Sequence, residues 1–159
     1  MPPDTAPPLV ASCDPAAESK THPPYRPAKA RFTLPAHEAL VGCLRGAARA
    51  VLARWHLPAD EQDAALLVVG ELAANAAVHG RSEMSLHLVL TQGTLGIVVG
   101  DHGDPAPPHR RGTDDDPDEH GRGLDIVHTL STRVDVHCGD HGTWILACLA
   151  VTAAHREAD

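Results

Sequence analysis

The run from Ala64 to Val78, AALLVVGELAANAAV, constrains the fold more than any other stretch. Leu66, Leu67, Val68, Val69 and Leu72 leave a helix apolar almost all round, and such a helix has to be largely enclosed by other elements. The pattern predicts a helix from Pro58 or Ala59 to His79. Asp60, Glu61 and Asp63 sit in its first turns, where the helix dipole favours negative charge, and Gly80 is a natural stop. Glu71 and Asn75 interrupt the apolar surface. Four residues apart, they share one face. A buried carboxylate is costly unless it is paired or lines a cleft, and an amide oxygen beside it suits a hard cation such as magnesium. The pair also fits a solvent-facing glutamate and a helix-capping asparagine, although Asn is a poor mid-helix residue. These two residues alone leave both readings open.

The neighbours that would enclose this helix are legible on either side. ARFTL (Ala30 to Leu34) alternates and reads as a short edge strand, and Pro35 is suited to open a helix. From Ala36 to Trp55, Leu40, Leu44, Ala48, Val51 and Leu52 recur at helical spacing, and HLP ends the segment. MSLHLVL (Met84 to Leu90) puts Met84, Leu86, Leu88 and Leu90 on one face. A Gln92-Gly93 turn joins it to a second strand, Thr94 to Asp101. Residues 102 to 120 have no apolar periodicity and read as a long loop, a length that usually carries function. GRGLDIVHTL (Gly121 to Leu130) reads as a third helix, Arg133 to Cys138 as a strand, and Thr143 to Val151 as the last strand. The order predicts an α+β two-layer sandwich, with about three helices on one face of a mixed or antiparallel sheet.

Composition narrows what such a sandwich could do. In 159 residues the aromatic side chains are Trp55, Trp144, Tyr25 and Phe32, so the core must be aliphatic. A formal charge of −8 argues against direct nucleic-acid binding, which needs a basic face. No apolar run reaches the roughly 18 residues of a membrane span, and the N-terminus lacks the pattern of a signal peptide. The expected setting is the cytoplasm. Prolines crowd residues 1–29, so that stretch is expected to be an extended or disordered tail. The domain is expected over 30–152, with 153–159 fraying. The cysteines show no CxxC spacing, and Cys43 and Cys148 read as small core residues. The twelve histidines are not read as a zinc site.

Two further motifs carry chemistry. Asp101 ends an apolar strand with Gly103 two residues on. A carboxylate there can accept from an exocyclic amine, and a glycine lets a flat ring approach the backbone. Asp and Gly are also ordinary turn residues. Gly121, Arg122 and Gly123 stand at the expected mouth of a helix, where free amides and the dipole favour an anion. This is equally a generic helix start, and it lacks the strand and third glycine of the dinucleotide fingerprint.

Taken in order, the motifs are E-x-x-x-N on a helix, D-x-G after a strand, a long loop, G-x-G-L at a helix, and HGT before the last strand. This set resembles the GHKL ATPase superfamily, and more narrowly the single-domain bacterial anti-sigma factor serine kinases. The resemblance covers about Arg31 to Val151. It implies ATP and Mg as cofactors and gives each residue a role. Glu71 would be the general base and Asn75 the magnesium ligand. Asp101 would accept the adenine amine, with Gly103 against the ring. Gly121, Arg122, Gly123 and Leu124 would face the phosphates, Thr143 would help hold adenine, and His79 would be structural. Residues 102–120 would form the nucleotide lid. The implied partners are a sigma factor and a STAS-type anti-sigma factor antagonist phosphorylated on serine. Members often pair as homodimers, which this sequence leaves open.

The chain also departs from the family pattern. The lid carries the acidic run Asp114 to Asp116, and Asp125 lies close to the expected anion site. No lysine follows Lys29, so a phosphate-binding cation would be Arg110, Arg111 or Arg122. The acidic lid motivates an alternative, a non-catalytic regulatory interaction module of the same fold. A sensor-kinase ATP-binding half is disfavoured, since no helical hairpin with a phosphoacceptor histidine is evident.

Overall fold

The computed structural model describes residues 26–79, 81–105 and 117–152, with the backbone alone at 105 and 117–121. The elements run in the order β1 (Ala28–Pro35), a 3-10 turn (Glu38–Leu40), α1 (Val41–Arg54), α2 (Ala59–Val78), β2 (Arg81–Thr91), β3 (Thr94–Pro105), α3 (Pro117–Leu130), β4 (Arg133–Gly139) and β5 (Gly142–Ala150). The five strands form one sheet in the order β1-β2-β3-β5-β4, and every neighbouring pair is antiparallel. Helix α2 packs between α1 and α3 and lies over β2, β3 and β5. The molecule is thus an α+β two-layer sandwich, with the sheet resolved as antiparallel rather than mixed.

The core forms where the sequence periodicities meet. Met84, Leu86 and Leu88 on β2, Leu95, Ile97 and Val99 on β3, and Ile145, Ala147 and Leu149 on β5 point into one layer. The stripe Leu44, Ala48 and Leu52 of α1 meets Val68, Val69, Leu72 and Ala73 of α2 above them. Burial of such aliphatic surface, about 25 cal/mol per Å2, is the main term holding the layers together. Beyond α1, His56 takes a left-handed conformation (φ 57°), and the Leu57 amide returns to the Leu52 carbonyl. This is the helix end that HLP signalled.

Several expectations need correcting. Pro35 does not open a helix. It ends β1, and the Ala36 amide goes on to bond the Ser82 carbonyl of β2. An edge strand tolerates proline because its outward amide needs no partner. The following turn is capped by His37 Nδ1, which accepts from the Ala39 amide at 3.0 Å. Strand β1 begins at Ala28, two residues before the expected start at Ala30. Helix α2 is not enclosed all round, since Leu67 and Val78 are 43% and 41% exposed. Cys43 is exposed, because it lies beside rather than on the Leu44 stripe, and Cys148 is half-buried on the helix-free face. Residues 102–105 extend β3 instead of opening a loop, and 117–120 are already helical. The proposed stop at Gly80, the acidic run 114–116, Arg110, Arg111, Cys13 and both tails lie outside the described residues. No described helix is long and apolar enough to cross a membrane.

The helix-free face of the sheet has its own polar packing. His87 meets the Trp144 ring edge-on, with centroids 5.9 Å apart. Burial lowers the His87 pKa below 6.5, with Arg31 and His102 adding positive charge nearby. The unfolded chain therefore takes up a proton at His87 more readily than the folded one. This favours unfolding once the pH falls below about 6.5. Thermal denaturation between pH 7.5 and 5.0 should show a melting temperature that drops on acidification, and His87→Gln should make that drop shallower. An unchanged slope would show that His87 is not a source of the pH dependence.

Candidate functional site

Asp101 is the buried acid of the sheet, 2% exposed, on the inward-facing register of β3 that places Leu95, Ile97 and Val99 in the core. A carboxylate in that position needs partners, and it has one on each side. Oδ1 accepts the Thr143 amide of β5 at 2.7 Å, and Oδ2 lies 2.9 Å from Nδ1 of His79 at the end of α2. Gly142 makes this approach feasible. Its φ is 145°, and a Cβ there would overlap the Asp101 carbonyl oxygen. Sequence reasoning singled out Thr143 and not Gly142, although glycine ahead of a strand was the available signal.

Beside this assembly lies a recess lined by Leu72, Asn75, Ala76 and His79 of α2, Val99 and Gly100 of β3, and Thr143 and Ile145 of β5. It is shallow and open to solvent, with room for roughly one water molecule. Complete small-molecule pockets run from about 300 Å3 upward, so the recess as it stands is a shallow dimple that would have to widen to take a base. Among the described residues the Asn75 amide has no hydrogen-bond partner. One turn earlier on the same face stands Glu71. An uncommitted amide oxygen next to a carboxylate is a donor set that fits magnesium, which takes oxygen ligands and retains several waters.

Helix α3 arrives against Glu71. Gly123 is buried, and a Cβ on it would stand 2.5 Å from Glu71 Oε2. Leu124 is half-buried and Arg122 is exposed. The expectation that Gly121 to Leu124 form the helix mouth is corrected here, because α3 starts at Pro117. Proline suits a first helical position, where its missing amide costs nothing, and Asp118 and Glu119 follow in the first turn. The amides from Gly121 onward therefore lie past the free first turn, where the helix's own carbonyls use them. Gly103 also serves a need other than a facing ring. Its φ is 90°, and the position a side chain would take is filled by Ser82 Oγ. Gly103 is absent from the recess lining.

The structure therefore gathers Glu71, Asn75, Asp101, Gly123 and Thr143, with His79, around one region between α2, α3, β3 and β5. Gly103 and Arg122 lie at its margin. Replacement of Gly142 by Ala should strain the backbone and push β5 away from Asp101. Urea denaturation should register a loss of at least about 2 kcal/mol, whereas Gly46→Ala on the open side of α1 should not destabilise the fold.

A family model described as a histidine kinase-like ATPase domain matches residues 34–149. No curated protein matches the chain. Among solved structures, the RsbU and RsbW domains of Rv1364c from Mycobacterium tuberculosis are similar, with a TM-score of 0.57 at 16% identity over 83% of this chain. That likeness speaks for the fold, and this chain spans 35% of the length of that one. The match across residues 34–149 contains every element that builds the Asp101 region, and the chain belongs to the histidine kinase-like ATPase domain family.

Proposed function

We propose that the protein binds MgATP in the region around Asp101 and transfers the terminal phosphoryl group to a serine of an anti-sigma factor antagonist, and that it also holds a sigma factor. The observation that carries the nucleotide reading is the buried Asp101 carboxylate, held by Thr143 and His79, both of which line the recess beside Asn75. Family membership supports ATP as the ligand. The anti-sigma assignment rests on the motif resemblance, supported by the fold likeness to the RsbU and RsbW domains.

In this reading the recess widens to take adenine, with its exocyclic amine on Asp101. A carboxylate offers about four acceptor positions, so the Thr143 amide and His79 leave capacity for the amine. Thr143 contributes to the recess wall as well as fixing Asp101. Asn75 would hold magnesium through its amide oxygen, and the bound ion supplies charge neutralisation at the phosphates. Glu71 accepts the proton of the attacking serine hydroxyl, a contribution that typically reaches 10²- to 10⁴-fold. Gly121, Gly123 and Leu124 would face the phosphates once the start of α3 has opened, with Arg122 as a nearby cation. The remaining work is positioning, as in phosphoryl transfer generally.

A second reading has its own observation. Gly123 sits directly on Glu71, so α3 covers the proposed base. A non-catalytic module that uses nucleotide to set the position of α3 would have the same feature. The two readings separate by experiment. MgATP at about 100 times its dissociation constant should stabilise the fold by roughly 2.7 kcal/mol, and Asp101→Asn should lose that gain. With antagonist domains and labelled ATP, Glu71→Ala should retain the stabilisation and lose at least about 100-fold in transfer rate. Stabilisation without transfer by the unaltered protein would favour the module. No stabilisation by MgATP would defeat the nucleotide reading.

A further inference from the structure

We infer that His102 is a positioning residue for the Asp101 carboxylate, acting from the helix-free face of the sheet. This rests on the reading of Asp101 as the adenine acceptor and adds a determinant that lies outside the recess.

Consecutive residues of a strand point to opposite faces. Asp101 points to the helix-covered face, where its partners His79 and Thr143 line the recess, and His102 points away. On β5 the same alternation sends Thr143 towards the recess and Trp144 away. The two dipeptides meet on both faces. In front, the Thr143 amide donates to Asp101 Oδ1 at 2.7 Å. Behind, the His102 and Trp144 rings stack with centroids 5.7 Å apart and planes within 6°. Gly100 makes room for the indole, since a Cβ there would overlap the Trp144 ring.

The His102 ring is held at both nitrogens. Nε2 is 2.6 Å from Ser85 Oγ, and Nδ1 is 3.3 Å from Glu83 Oε2. Ser85 Oγ lies a further 2.9 Å from Thr33 Oγ1, so the chain Glu83, His102, Ser85 and Thr33 crosses β3, β2 and β1. The order of groups resembles a Ser-His-acid triad, but Ser85 is fully buried and cannot meet an external substrate. What the network does is immobilise residue 102. Because 101 and 102 share a peptide, rotation or slip of β3 at 102 would displace the carboxylate at 101. Binding and chemistry both degrade when a contact group is about 1 Å out of place.

Discrimination between bases gives a readout that general weakening would not move. Adenine presents an amine where guanine presents a carbonyl oxygen, and a fixed carboxylate accepts the first and repels the second. Dissociation constants for MgATP and MgGTP should be measured by calorimetry. His102→Ala should weaken MgATP by about tenfold and narrow the ATP preference over GTP. His102→Phe keeps a stacking ring but neither hydrogen bond, and should recover only part of the preference. Trp144→Leu removes the other half of the stack and should narrow it likewise, which preserves the test if His102→Ala does not fold. An ATP to GTP ratio unchanged in the folded variants would overturn this role and leave nucleotide binding intact. Absence of MgATP binding by the unaltered protein would instead defeat the underlying reading, and the role with it.

Discussion

The buried carboxylate of Asp101 is the constraint on which the arrangement of elements depends. An uncompensated charge in an apolar layer costs several kcal/mol, so its partners cannot drift. The Thr143 amide and His79 satisfy it from two different elements. The start of β5 and the end of α2 are thereby tied to the same point on β3. Gly142 is the other half of this requirement, because only a residue without Cβ lets the β5 backbone come so near. A polar group that would ordinarily weaken a core instead fixes the register of one end of the sheet against the helix above it.

Helix α2 transmits that fixed point along the molecule. Its inward surface joins the aliphatic layers of β2, β3 and β5, while Leu67 and Val78 stay exposed on another side. Glu71 and Asn75 lie where α2 leaves the core and meets the recess and α3. A fully enclosed helix could not carry them, and a fully exposed one could not hold them still. The partial enclosure of α2 gives a rigid element with two polar side chains presented at a cleft.

The sandwich was legible because its periodicities are strong and agree with one another. Met84, Leu86 and Leu88 alternate in sequence and are buried together, and the Leu44, Ala48 and Leu52 stripe repeats at helical spacing. Glu71 and Asn75 were legible as intruders in an apolar run. What escaped depends on contacts across the chain. Nothing near Pro35 signals that β1 continues beside β2; Pro117 followed by Asp118 and Glu119 was an available signal for the start of α3, but nothing near Gly123 signals that α3 closes on Glu71. Cys43 was misplaced because its apolar character says nothing of which side of the Leu44 stripe it occupies. Ser85 and His102 look like ordinary polar residues of an outer face until β1, β2 and β3 are laid side by side.

The packing of α3 on Glu71 bears on how a catalytic reading and a closed structure can belong to one molecule. The contact is made by a glycine, so what covers the carboxylate is backbone rather than an interlocking side chain. A backbone surface leaves by sliding or by loss of a turn, with no side chain to extract from a socket. In the proposed reading, phosphates and the turn of α3 that carries Gly123 would compete for the ground in front of Glu71. A ligand held at Asp101 by its base would bias that competition, because in this reading only an arrangement with α3 displaced would admit the rest of the ligand. The firmly built end of the site is the base end, and the end that must move is where the chemistry would occur.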